Sequence, residues 1–179
     1  MQRVIWIICG IILISLSAQL SINLNFNEAE IPVTGQTLAV IVVSMISRRS
    51  TGFISILMYL ILGGLGLPVF ADGNSGIEVL LGKTSGYLIS FLLIPIIFAS
   101  NSKFTWRKTF GSCFFGQLLA TGLILFIGAL VLSTFIGIPA AIKFGIRPFI
   151  IGGLIKILLG TLLVWGLTQL NFSEDSTIA

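Results

Sequence analysis

Apolar runs broken by short polar, glycine- and proline-bearing segments divide this chain into six predicted spans: residues 4–20, 37–46, 53–67, 85–99, 110–136 and 148–170. The second is short beside the roughly 20 residues that cross a hydrocarbon core. It is expected to tilt, or to extend backward through Ile31-Pro32-Val33-Thr34-Gly35-Gln36. The fifth is long and carries Gly111, Gly116, Gly122 and Gly128, which predicts a tilt or kink. No internal repeat is visible.

Composition agrees with that pattern. The 179 residues are 56% hydrophobic and 9% charged, with a mean hydropathy of +1.11, whereas soluble domains carry about 25% charged residues. The reading is an all-α integral membrane protein, a single bundle over residues 1–179. Arg3 precedes the first apolar run, and Ser15-Leu16-Ser17-Ala18-Gln19 resembles a signal-peptidase site. The run is long enough to span and more spans follow, so it is read as a retained first helix, with cleavage as the alternative. Cys9 and Cys113 both fall in apolar spans, which points to neither a disulfide nor a metal site.

Charge sets an orientation. One side collects Arg3, Arg48, Arg49, Lys103, Arg107 and Lys108; the other collects Lys83, Lys143 and Arg147. The basic excess predicts both termini in the cytoplasm. Glu28, Glu30, Asp72 and Glu78 then lie outside, and Glu174 and Asp175 sit in a tail expected to fray. The external loop 66–84 is long and polar, yet Phe70 and segment 77–81 give it something to bury, so an ordered lid is expected.

Lys156 is the only ionisable residue in the last apolar run, Pro148-Phe149-Ile150-Ile151-Gly152-Gly153-Leu154-Ile155-Lys156-Ile157-Leu158-Leu159-Gly160 onward. An ammonium inside a bilayer costs several kcal/mol unless something receives its charge. Phe149, Gly152, Lys156 and Gly160 share one helix face, and the glycines let another backbone approach. That face is expected to point into the bundle. A snorkelling lysine is the alternative, but Lys156 lies roughly 12 Å from Pro148 and roughly 20 Å from Leu170 along a helix.

Three segments together resemble the BioY family, the substrate-binding (S) subunits of energy-coupling-factor (ECF) vitamin importers. They are Ile31-Pro32-Val33-Thr34-Gly35-Gln36-Thr37-Leu38-Ala39-Val40; residues 59–70 with the glycine-rich loop and Leu81-Gly82-Lys83-Thr84-Ser85-Gly86-Tyr87-Leu88; and Arg147-Pro148-Phe149-Ile150-Ile151-Gly152-Gly153-Leu154-Ile155-Lys156. The resemblance implies a six-transmembrane-helix bundle of the ECF S-component type in a bacterial plasma membrane, with biotin as ligand. It implies as partners a transmembrane coupling (T) subunit and two ATP-binding (A) subunits, so ATP is used by them and not by this chain. The chain departs from the family pattern in having Gly153 where an aspartate usually stands, Lys83 where a proline does, and Ser85 where a glycine does. The resemblance assigns that aspartate to the ligand's ureido group.

Biotin presents a carboxylate, an apolar thioether ring and a ureido ring, each of which needs a counterpart in a buried site. Lys156 is assigned to the carboxylate. Gln36 and Tyr87 are the preferred acceptors for the ureido donors, with Asn74, Ser75 and Gln117 as further polar candidates; Gln117 reads equally as interhelical glue. Phe149 is the preferred wall, ahead of Phe70 and Trp165, and Gly152 and Gly153 line the same site. Ser17, Ala18 and Ser21 on the first span form the candidate contact with the coupling subunit, with ordinary bundle packing as the alternative.

The sequence has no G-x-x-x-x-G-K-[ST] loop, so ATP hydrolysis through that motif is excluded. With no histidine and no clustered carboxylates or thiols, no metal centre is expected. No acid lies within a span to relay protons. Two rival readings stay open: an S component for another small vitamin or precursor, and a membrane enzyme or assembly factor without a transport role.

Overall fold

A computed structural model describes residues 1–22, 33–103, 105–170 and 174. The expectations for Glu28, Glu30 and Asp175, and for Ile31-Pro32, lie outside the described residues. In chain order the elements are α1 (Gln2–Ala18), a two-residue strand β1 (Ser21–Ile22) paired antiparallel with β2 (Val33–Thr34), α2 (Gln36–Ile46), α3 (Arg49–Gly64), α4 (Ile77–Leu81), α5 (Ser85–Ser90), α6 (Ile94–Phe98), α7 (Phe110–Ile136), α8 (Ile138–Gly145) and α9 (Arg147–Gln169). Among the described residues, α7 and the stretch of α9 from Gly152 to Gln169 are the helices long and apolar enough to cross a membrane, by length and composition. The other apolar helices are shorter.

The short second segment has a physical explanation. Every residue of α2 from Ala39 to Ile46 is buried. A helix that is apolar all round belongs in the middle of a bundle, and α2 is packed by α1, α3, α6, α7 and α9. The outer helices instead turn apolar residues outward: Ile8 and Leu16 on α1, Phe126 on α7, Leu158 and Leu162 on α9.

The fourth segment is interrupted. Pro95 has no N–H to offer the carbonyl of Phe91, and there the chain passes through a 3-10 turn, Phe91–Leu93, between α5 and α6. The glycines of α7 do not break it: the helix runs 27 residues without interruption. Two of them serve packing. A Cβ at Gly128 would fall 2.2 Å from the Tyr87 ring, and one at Gly116 would crowd Met45 and Trp106.

The tail expectation is corrected. Glu174 is fully buried. Its carboxylate accepts from the Arg48 backbone N–H at 2.8 Å and from Thr51 Oγ1 at 2.7 Å. It caps α3 from across the chain, because no side chain near Arg48 supplies a cap. Arg3, Arg48, Asn101 and Glu174 thus gather at one end of the bundle.

Candidate functional site

At the opposite end, the first turn of α2, the 66–84 loop, α5 and the start of α9 enclose a cavity of about 420 Å³. The loop is ordered by its own chemistry. Phe70 is 1% exposed and lies against Gly63, where a Cβ would fall 2.2 Å from its ring. It meets Tyr59 edge-on at 5.5 Å. The Gly76 N–H donates to the Gly63 carbonyl at 2.7 Å, and Gln19 Nε2 donates to the Phe70 carbonyl at 3.0 Å. Ser21 donates to the Asp72 carboxylate, which ties the loop to β1. Of segment 77–81, Val79 and Leu80 pack against the core while Ile77 and Leu81 stay exposed.

Of the face predicted for α9, Phe149 and Gly160 are buried while Gly152 and Lys156 are half-buried; Gly153, Ile157 and Val164 are buried beside them. Lys156 Nζ donates to Thr37 Oγ1 at 3.3 Å, and Thr37 lines the cavity. Of the described carboxylates, Asp72 is engaged by Ser21 and Glu174 by the start of α3, while Glu78 stands on the cavity's lid side. None is given to the lysine by any contact among the described residues. Gly153 leaves room: a Cβ there would have Thr121 Cγ2 at 3.9 Å as its nearest neighbour. Gly160 has none, because the Gln117 amide lies 2.6 Å from where its Cβ would stand.

Gln36 is 5% exposed and lines the cavity. Its Nε2 donates to Tyr59 Oη at 2.7 Å, and Tyr59 donates onward to the Val69 carbonyl at 3.1 Å. Tyr87 also lines the cavity, and its hydroxyl donates to the Gly145 carbonyl at 2.9 Å, which leaves its oxygen able to accept. Its ring stacks on Phe149, centroids 6.1 Å apart, so the pair forms an aromatic wall.

The other sequence candidates divide. Asn74 lines the cavity while its Nδ2 donates to the Ala71 carbonyl at 2.8 Å. Phe70 lines it; Trp165 does not, and meets Phe110 instead. Gln117 is 1% exposed inside the bundle, with no hydrogen-bond partner for its Nε2 among the described residues. Of the small residues on the first span, Ala18 is fully buried, Ser17 is half-buried with its carbonyl facing Gly35, and Ser21 is half-buried in β1. Sequence reasoning missed Thr37, Tyr59, Asp72, Glu78 and Lys83. A tyrosine hydroxyl mid-span needs a partner, and that signal pointed to Tyr59.

A family model described as the BioY family matches residues 1–171. Biotin transporter BioY2 of Lactococcus lactis is 38% identical over 134 residues, covering 74% of this chain and 73% of that one. The probable biotin transporter BioY of Pyrococcus horikoshii is 35% identical over 144 residues, covering 80% and 82%. The biotin transporter BioY of Thermotoga maritima is 31% identical over 164 residues, covering 89% and 91%. The backbone is similar to the crystal structure of an S-component for biotin from an ECF-type ABC transporter, with a TM-score of 0.79 and 24% identity over 94% of this chain and 91% of that one. At that identity the likeness carries the fold.

Proposed function

The chain belongs to the BioY family, and we propose that it is the substrate-binding subunit of an ECF-type importer that captures biotin outside the cell and delivers it inward. The observation that carries this reading is the lidded cavity of about 420 Å³ with aromatic walls at Tyr87 and Phe149, an amide at Gln36, and an ammonium behind Thr37. An apolar enclosure with a few convergent polar groups is the form a small-molecule site takes. Lys156 receives the carboxylate, and the aromatic pair packs the ring system. Asn74 and the lid close the mouth.

The bundle crosses the membrane six times, through α1, α2, α3, α5 with α6, α7 and α9. The end bearing Arg3, Arg48 and Asn101 faces the cytoplasm, following the basic excess there. A T subunit and two A subunits complete the importer, and ATP is hydrolysed by the latter. Biotin should raise the melting temperature of the purified protein, because a ligand that binds only the folded state stabilises it. Gly153 favours one second reading, an S component for another small vitamin, since α9 offers no carboxylate at the position where the family pattern carries one. A panel in which a different vitamin raises the melting temperature and biotin does not would decide for it.

A further inference from the structure

Tyr59 has one hydroxyl proton, and the Val69 carbonyl can only accept. With the Tyr59 proton committed to Val69 at 3.1 Å, the Tyr59 oxygen must accept at its contact with Gln36. The 2.7 Å contact therefore takes the amide N–H of Gln36, and the side-chain oxygen is turned the other way. That oxygen has no hydrogen-bond partner among the described residues, yet it is not sealed away as Gln117 Nε2 is. Gln36 lines the cavity, so its free acceptor opens into it.

We infer that Gln36 is the group that reads the ligand's N–H donors, and that the Gln36–Tyr59–Val69 chain fixes its polarity only while the lid is docked. Building on the biotin reading above, Gln36 takes the place left by the missing carboxylate at Gly153. Val69 directly precedes Phe70, the residue that anchors the lid against Gly63. Undocking the lid frees the Tyr59 proton to turn toward Gln36. The amide can then present either its oxygen or its NH₂ to the cavity, and discrimination is lost. Tyr59 itself is fully buried behind Gln36 and does not line the cavity. It is a positioning residue.

The test compares affinity for biotin with affinity for its carbocyclic analogue, in which CH₂ replaces each ureido N–H. The full chain is used in lipid nanodiscs. Wild type should prefer biotin by about tenfold or more, the loss expected when a buried acceptor is left unpaired. Gln36→Met should abolish that preference. Tyr59→Phe leaves Gln36 and the packing in place and should also reduce it sharply. Gly63→Ala, which drives the Phe70 ring from its seat, should do the same while leaving Gln36 and Tyr59 themselves unchanged. A Tyr59 role in stability alone would lower the melting temperature and leave the ratio intact.

A wild-type ratio in Gln36→Met overturns the acceptor assignment. A wild-type ratio in both Tyr59→Phe and Gly63→Ala overturns the relay. If Gln36→Met fails to fold, Tyr59→Phe decides, since it keeps the ring. Wild type binding neither compound overturns the biotin reading itself, whereas binding both equally overturns only this inference.

Discussion

Lys156 on α9 and Thr37 on α2 meet at 3.3 Å, which joins the lone ionisable group of the apolar run after Arg147 to the wall of the cavity. The contact gives the ammonium one hydrogen bond and leaves two donors. If those donors hold the ligand carboxylate, Lys156→Met removes one partner of a charge pair while preserving much of the side-chain volume. The fold should persist, because a costly partly buried charge is removed. Affinity for biotin should fall by about 2–5 kcal/mol. The preference for biotin over its uncharged amide should vanish. Titration calorimetry on both ligands checks this, and a retained acid preference would reassign Lys156 to a role within the bundle.

The packing of α7 on α9 rests on a glycine. A Cβ at position 160 would stand 2.6 Å from Gln117 Nε2, so Gly160→Ala should destabilise the protein by about 1–3 kcal/mol, the usual range for overpacking. Gln117→Ala in the same chain should recover most of that loss by removing the obstructing amide. Residues in contact show such coupling, and distant ones do not. Gln117→Leu alone should be neutral or stabilising, because the buried Nε2 has no partner to lose. Thermal melts in detergent of Gly160→Ala, Gln117→Ala, their double variant and Gln117→Leu provide the measurement; purely additive effects would mean that the two residues do not share the contact.

Glu174 supplies the cap that the sequence near Arg48 does not. Glu174→Ala leaves the Arg48 N–H and the Thr51 hydroxyl without this acceptor. The expected cost is about 0.5–2 kcal/mol, the range for losing an N-terminal cap. Biotin affinity should be unchanged, since the cavity lies at the other end of the bundle. A mutant with wild-type melting temperature would show that the carboxylate adds no net stability.

Orientation is tested by single-cysteine labelling in intact cells. In a background lacking Cys9 and Cys113, a cysteine at Asn101 should be shielded from an impermeant reagent, and one at Ser75 should react. The reverse pattern would invert the bundle and place the lidded cavity on the cytoplasmic side.

What the sequence made legible follows from what periodicity can carry. The face of α9 was readable because Phe149, Gly152, Lys156 and Gly160 repeat at helical spacing and the lysine is alone in its run. The lid was readable because Phe70 is an apolar anchor amid turn residues. Local pattern could not show that Glu174 folds back onto α3, a contact 126 residues distant from Arg48. Nor could it show that α1 turns Ala18 inward, because serines and alanines suit either face. The role of Tyr87 depended on Gly145, 58 residues away, which accepts its proton. The polarity of Gln36 likewise needed Tyr59 and Val69 in place.

Gly153→Asp isolates the ureido end of the site. Position 153 is helical and buried, and a Cβ there meets only Thr121 Cγ2, at ordinary contact distance of 3.9 Å. An aspartate therefore fits without displacing backbone. Its carboxylate would stand three residues before Lys156 on the same face, where ion pairs form along a helix. Two effects on biotin then oppose each other. The new acceptor adds a charge-assisted hydrogen bond to a ureido N–H, worth about 1.5–3 kcal/mol. It also competes with the ligand carboxylate for the lysine. The uncharged biotin amide separates the two, since it has the same ureido ring and no carboxylate to be displaced. Amide affinity should rise by the full hydrogen-bond increment, biotin affinity by less, and the acid-over-amide preference should shrink. Calorimetry with both compounds reads all three quantities. Amide binding that stays the same or weakens would place the ureido ring away from α9 and remove position 153 from the site.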